Sequence, residues 1–160
     1  MRILFMITFL GFFFLLLYAN YNIPNIQETR RLAEQGDAHA QFNLGVMHYE
    51  GIGFRRNYAE AAKWYRKAAE QGDKVAQRAL GWMYARGDGV KQDYAEAVMW
   101  YRKSAEQGYM QAQYALAWMY EKELGIKQDK SEAMKWYRKA AEQGDKYAQE
   151  AVDEMEAGKR

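Results

Sequence analysis

Cysteine is absent from the 160 residues of this chain, and its absence excludes several kinds of site. Disulfide bonds, a catalytic thiol, thiolate metal ligands and a bacterial lipoprotein anchor all need cysteine. Proline occurs once, which together with many Ala, Glu and Lys favours helices over strands. The only histidines, His39 and His48, are nine residues apart and would face opposite sides of one helix. No metal site is therefore predicted.

An excess of either charge is also missing. The chain has 23 Lys and Arg against 21 Asp and Glu, and Arg2 is the only charge among the first 19 residues. A protein that binds phosphate backbones needs a basic surface, which the remaining 22 positive and 21 negative residues do not predict. The Arg-Lys pairs at 66–67, 102–103 and 138–139 each lie near a glutamate, which predicts a solvated face. We expect no nucleic-acid binding.

An uncharged apolar run extends from Ile3 to Ala19. As a helix it would be about 26 Å long, slightly shorter than the roughly 30 Å of a bilayer core. This length suits either a retained membrane anchor or a signal peptide over residues 1–19. Cleavage after Ala19 would place Leu17 where a small residue is preferred, so cleavage stays undecided. Both interpretations predict a periplasmic or secreted location, with contact to the membrane if the segment is uncleaved.

Four copies of the tetrad Ala-Glu-Gln-Gly begin at residues 33, 69, 105 and 141, each 36 residues after the last. Leucine, methionine, glycine and the run Trp-Tyr-Arg-Lys recur in the same register. Such repetition predicts stacked units that pack only against their neighbours. The predicted segments are a linker and N-terminal capping half-repeat at 20–32, repeats at 33–68, 69–104 and 105–140, and a C-terminal capping helix at 141–160. The last segment is identified as a cap because acidic residues replace the repeat's apolar or aromatic ones at 150, 153, 154 and 156.

Each unit is predicted to contain two helices. A Gly-Asp step precedes the first helix, where Gly ends one helix and Asp caps the next, and in the third unit Tyr109 replaces the Asp, so that cap is lost. Asn57, Asp93 and Asp129 precede the second helix, each with Glu three residues later, as in a capping box. Glycines occupy the connecting loops, but Glu123 replaces one of them, which predicts a different third loop.

These residues resemble the Sel1-like repeat family, a relative of tetratricopeptide repeats, over residues 33 to about 155. The second copy carries the motif Ala76-x3-Leu80-Gly81-x-Met83-Tyr84-x2-Gly87-x-Gly89-Val90, Asp93, Ala97, Trp100-Tyr101-Arg102-Lys103 and Ala105-Glu106-Gln107-Gly108. The resemblance implies an all-α fold, a right-handed α-α superhelix whose first helices line the inner surface. It implies an adaptor or scaffold for protein complexes. One cysteine-rich branch is credited with β-lactam binding or hydrolysis, and this chain lacks its paired cysteines.

Positions that differ between units point to a binding surface, because stacking explains the positions that match. On the first helices these positions mix aromatic and charged residues, and Trp, Tyr and Arg are common anchors of protein interfaces. The predicted partner-binding residues are Phe42, Val46, Tyr49, Arg78, Trp82, Arg86, Tyr114, Trp118 and Lys122. The alternative is that Trp82 and Trp118 only pack between units.

The leading hypothesis is a noncatalytic adaptor or scaffold of the cell envelope that binds a protein, as a peptide or a helix, on the concave face. No catalytic residue, metal or cofactor is predicted, and the chain is expected to be a monomer by itself. Two alternatives stay open: an envelope hydrolase of the β-lactam-binding branch, and a permanent stabilising subunit of a membrane complex.

Overall fold

The structure is a computed structural model that describes residues 25–158, and all regular structure in that part of the chain is α-helical. The predicted anchor or signal peptide lies outside the described residues. No helix between residues 25 and 158 combines the length and apolar character needed to cross a bilayer. The helices are α1 (Ile26–Glu34), α2 (Ala38–Glu50), α3 (Tyr58–Glu70), α4 (Lys74–Arg86), α5 (Tyr94–Glu106), α6 (Met110–Lys122), α7 (Lys130–Glu142) and α8 (Lys146–Glu156).

Each helix packs mainly against the helix before it and the helix after it. The pairs α2–α3, α4–α5 and α6–α7 form three helix-turn-helix units, with α1 before the first and α8 after the last. The predicted all-α fold, an α-α superhelix of stacked repeats, is confirmed. The core runs along the stack, because small and aliphatic residues from consecutive units fill its centre.

The predicted helix caps are present. Asp37 precedes α2, and its side chain accepts a hydrogen bond from the backbone N–H of Ala40 at 2.7 Å. Asp73 and Asp145 cap α4 and α8 in the same way. Tyr109 provides no side-chain cap to α6, as predicted, so that helix begins with fewer satisfied amide groups.

The expectation of a different third loop is wrong. Gly51 and Gly87 end α2 and α4 in the left-handed conformation, at φ of 80° and 77°. Glu123 ends α6 in that same conformation, at φ of 57°, and the loop that follows matches the other two. Stacking therefore imposes the turn even on a side chain that disfavours it.

A ladder of glutamine side chains links consecutive units. In each unit a buried glutamine of the first helix donates from Nε2 to a backbone carbonyl near the end of the preceding helix, at 3.1–3.2 Å. Its Oε1 accepts from the glutamine of the next Ala-Glu-Gln-Gly tetrad, at 2.7–2.8 Å. The pairs are Gln41 with Gln71, Gln77 with Gln107, and Gln113 with Gln143. This ladder explains why the tetrad keeps a glutamine.

The arginines of the Trp-Tyr-Arg-Lys run are not simply solvated, which corrects the sequence-based expectation. Arg66 and Arg102 are half-buried, and each donates from Nη2 to a tyrosine hydroxyl of the next unit, Tyr84 at 2.5 Å and Tyr120 at 2.8 Å. In the last unit Arg138 bonds Glu156 instead, at 2.8 Å. Arg66 and Arg102 thus join the second helix of one unit to the first helix of the next.

Candidate functional site

Two large indoles lie exposed on the first helices. Trp82 on α4 and Trp118 on α6 are 40% and 38% exposed, although they occupy the same position in consecutive repeats. Val46 takes that position on α2 and is half-buried. The alternative that the two indoles only pack between units is therefore not supported, because much of each ring faces solvent.

A cavity of about 500 Å³ lies on this face between α4 and α6. Arg78, Trp82 and Arg86 contribute from α4, while Tyr114 and Trp118 contribute from α6. Five predicted binding residues thus surround one space. The other lining residues are Ala85, Tyr94, Tyr101, Gln111, Ala115, Met119 and Asp145.

A smaller cavity of about 220 Å³ lies between α2 and α4. The predicted residues Phe42, Val46 and Tyr49 line it from α2. Arg78 and Trp82 line both cavities, so the two spaces are neighbours along the same face. We call this pair of cavities, with the residues that line them, the inner groove.

Lys122 is the one predicted residue that lines neither cavity. It is exposed at the end of α6, and its Nζ donates to the carboxylate of Glu121 at 2.7 Å. Glu121 is itself buried and accepts a hydrogen bond from the hydroxyl of Tyr137 at 2.8 Å. Lys122 thus belongs to a local ion pair and not to the lining of the groove.

Positive charge is concentrated at the middle of the groove. The guanidinium carbons of Arg78 and Arg86 lie 5.5 Å and 5.3 Å from the centre of the Trp82 ring, close enough for cation–π attraction. Arg86 is partly neutralised, because its Nε donates to Asp88 at 2.9 Å. Nε of Arg78 is buried and has no hydrogen-bond partner within residues 25–158. A buried donor that makes no hydrogen bond costs the folded protein free energy.

Tyrosines of the second helices form the floor of the groove, and the sequence reading missed them. Tyr65 lines the smaller cavity and Tyr101 the larger, and both are almost fully buried. Burial raises the pKa of Tyr101 to about 12, although the charge of Arg78 acts in the opposite direction. Because these tyrosines recur every 36 residues, the sequence predicts only that they belong to the core. Their contact with the groove is seen only in the packed structure.

Neither histidine is part of the groove lining, and His48 packs beside a loop. Its ring stacks on Phe54 with 4.4 Å between ring centres. Burial lowers the pKa of His48, with opposing smaller contributions from Glu60 and Arg30. Within residues 25–158, no three His, Asp or Glu side chains are grouped as a metal site.

The Sel1 repeat family model matches residues 38–73, 74–109 and 111–145, which together make up more than half of the chain. The matched segments coincide with the three helix pairs, and the third segment begins one residue after the start of α6. The chain belongs to the Sel1 repeat family.

Solved structures of other Sel1 repeat proteins resemble this chain closely. A Sel1 repeat protein from Oxalobacter formigenes is 40% identical, with a TM-score of 0.75, over 81% of this chain and 98% of that one. A protective antigen present in uropathogenic Escherichia coli strains, which displays an SLR fold, is 43% identical with a TM-score of 0.81. The match covers 84% of this chain but only 29% of that antigen. The present Sel1 repeat array thus spans less than a third of the antigen's length.

A more distant structure shares the fold alone. Helicobacter pylori cysteine-rich protein B is 22% identical, with a TM-score of 0.60, over 77% of this chain and 88% of that one. No protein in the curated comparison matches this chain. Sel1 repeats are a protein-interaction type of repeat, and this is the level at which the family indicates function.

Proposed function

We propose that this Sel1 repeat protein is a noncatalytic adaptor or scaffold that binds a peptide or helix of a partner protein in the inner groove. The observation that carries this proposal is the exposure of Trp82 and Trp118 beside an apolar cavity of about 500 Å³. Exposed aromatic side chains that flank a concave apolar surface are typical anchors of protein recognition.

The groove also has the composition of a binding surface. Phe42, Tyr114 and the two indoles supply rigid apolar area, which loses little side-chain entropy on binding. Arg78 and Arg86, whose guanidinium groups lie against the Trp82 ring, supply hydrogen-bond donors. Eight of the nine predicted residues line the groove, so a partner segment could contact all of them together.

The test uses the full-length protein with Trp82→Ala and Trp118→Ala combined. Partners would be crosslinked in envelope membranes, identified by mass spectrometry, purified and titrated by calorimetry. Each hot-spot aromatic is worth about 2 kcal/mol or more, so the double variant should bind at least about 100-fold more weakly. Its far-UV helix signal should stay unchanged, because both side chains are exposed.

Met99→Ala is the matched control. Met99 is 38% exposed, as much as Trp118, but lies on α5 and lines neither cavity. Binding should be the same for this variant as for the unmodified protein. If the double tryptophan variant binds the purified partner as tightly as Met99→Ala does, the inner groove is not the binding surface.

We further propose that the array works at the outer side of a cell membrane, in the periplasm or beyond it. The support is the uncharged apolar run from Ile3 to Ala19, which suits an export signal or an anchor. Protease added to intact spheroplasts should digest the array. An intact-mass measurement would then distinguish a retained anchor from cleavage after Ala19. Protection of the array from protease until the cells are lysed would refute the proposed location.

A further inference from the structure

The position of Arg78 breaks a pattern that the other units keep. Phe42 and Tyr114 hold the same place in the repeat, 36 residues to either side. Each packs against the buried tyrosine of its own unit, with ring centres 5.6 Å apart for Phe42 and Tyr65 and 5.4 Å apart for Tyr114 and Tyr137. An aromatic ring at this repeat position is therefore enough for packing between the helices. Packing does not explain why the middle unit has an arginine there.

Arg78 is also poorly satisfied where it lies. Its Nε is buried and donates to no acceptor among residues 25–158, while its guanidinium carbon lies 5.5 Å from the centre of the Trp82 ring. Its charge acts on both floor tyrosines, Tyr65 and Tyr101. Burial of this donor without an acceptor is costly, and a carboxylate on the groove side of the half-buried guanidinium would stabilise its positive charge through charge-assisted hydrogen bonds.

We infer that the inner groove binds a peptide segment whose acidic side chain is held by Arg78, with apolar side chains on both sides of it. This inference rests on the proposed function and specifies its ligand. Arg78 lines both cavities, so a segment that fills them must pass over it. Since the segment continues in both directions, the carboxylate belongs to an internal Asp or Glu and not to a chain terminus.

The cavities themselves indicate the flanking residues. The space between α4 and α6, about 500 Å³ and bordered by Tyr94, Tyr101 and Tyr114, suits an aromatic or long aliphatic side chain. The space between α2 and α4 is about 220 Å³ and suits a smaller aliphatic one. The recognised pattern is thus an acidic residue between a large and a small apolar residue.

The negative charges that border the groove favour a peptide over a nucleic acid. Glu50 lines the smaller cavity and Asp145 the larger one, while Arg78 lines both. A single carboxylate fits this arrangement. A strand with a phosphate at every nucleotide would place further negative charge beside these two carboxylates.

The test selects binders from a displayed library of random dodecapeptides on the full-length protein and on its Arg78→Gln variant. Peptides from the unmodified protein should carry Asp or Glu between apolar residues, and the variant should lose that enrichment. Selected peptides, synthesised with acetylated and amidated ends, are then measured by fluorescence anisotropy. Replacing the acidic residue by its amide should weaken binding by about tenfold or more, as for one charge-assisted hydrogen bond.

Two variants separate recognition from folding and from net charge. Arg78→Phe copies the residue of the first unit, so it should preserve the stack and yet bind acid and amide peptides equally. Arg55→Gln removes one positive charge from an exposed loop site outside the groove and should keep the tenfold preference.

Three results would overturn the inference. The first is equal affinity of the unmodified protein for acid and amide peptides. If Trp82→Ala still abolished binding in that case, the proposed function would stand and only this inference would fail. The second is a requirement for a free terminal carboxylate. The third is Arg78-dependent binding of a single-stranded oligonucleotide at the same site. Selected peptides whose binding ignores both Trp82 and Trp118 would instead contradict the proposed function itself.

Discussion

The glutamine ladder allows an internally controlled test of how the units are held together. Gln77 is buried, donates to the carbonyl of Ala69 at 3.1 Å and accepts from Gln107 at 2.8 Å. Each such hydrogen bond contributes about 1 kcal/mol net, so Gln77→Ala should destabilise the array by about 2 kcal/mol. The cavity left by the shortened side chain adds to this loss.

Gln149 is the matched control, because it holds the same repeat position on α8 with no unit packed beyond it in the described structure. It is exposed, and its Nε2 bonds only the neighbouring Asp153, at 2.8 Å. Gln149→Ala should therefore change the free energy of unfolding by less than about 0.5 kcal/mol. Because both variants replace Gln by Ala, a difference in their stability must come from the surroundings of the side chain and not from the type of substitution.

The assay is urea denaturation of the full-length protein, followed by far-UV circular dichroism. With a urea dependence of about 2 kcal/mol per molar, Gln77→Ala should lower the midpoint by about 1 M. A double-mutant cycle of Gln77 and Gln107 should give a coupling of about 1 kcal/mol. Equal midpoint shifts for the Gln77 and Gln149 variants, or a coupling near zero, would show that the ladder does not join the units.

Two further predictions concern local strain and pH. Glu123→Gly should stabilise the array by about 0.5–1 kcal/mol, seen as a rise of a few degrees in Tm, because glycine enters the left-handed conformation without penalty. Gly87→Ala at the matching turn should have the opposite sign. Burial lowers the pKa of His48 from its ordinary 6.5, so the folded state binds fewer protons than the unfolded state. Stability should be full above pH 6.5 and fall as pH drops through 6.5 towards the folded-state pKa, and His48→Tyr should remove this part of the loss.

Each of these two predictions can fail in a defined way. If Glu123→Gly leaves the Tm unchanged while Gly87→Ala lowers it, the left-handed turn at Glu123 carries no strain. If His48→Tyr follows the same urea-midpoint profile as the unmodified protein between pH 5 and 7, the histidine does not contribute to acid sensitivity.

The architecture could be predicted from the sequence, because a pattern that recurs in every unit identifies the helices and their order more clearly than the pattern of one helix alone. A spacing of 36 residues between tetrads set the register, and capping residues marked where the first and second helices begin. The glutamine ladder was visible in the same register, but its meaning depends on a donor and an acceptor 30 residues apart. Such partners are known only once the units are packed.

The lining of the groove was largely predictable from the sequence, whereas its electrostatics were not. Eight of nine predicted residues line the groove, since equivalent positions of stacked helices share one face. Lys122 lies outside the groove lining and pairs with Glu121, which stands where the other units have Tyr49 and Ala85. Glu121 is buried and bonds Tyr137, a contact that the sequence does not reveal. The isolation of the Arg78 Nε could not be predicted either, because it reflects the absence of an acceptor in the packed structure.

The tryptophans show why the inner groove, and not the rest of the stack, carries the functional argument. One tryptophan recurs at the same place in each of the three units, and each lies under a lysine three residues later, with Nζ 4.0–4.4 Å from the ring centre. They are Trp64, Trp100 and Trp136. Packing and cation–π contact account for these rings. Trp82 and Trp118 have no counterpart in the first unit, where Val46 suffices, and both stay exposed. Residues that the stack can do without thus lie on one face around an arginine whose Nε has no acceptor within residues 25–158, which supports the proposal that the groove binds a partner segment.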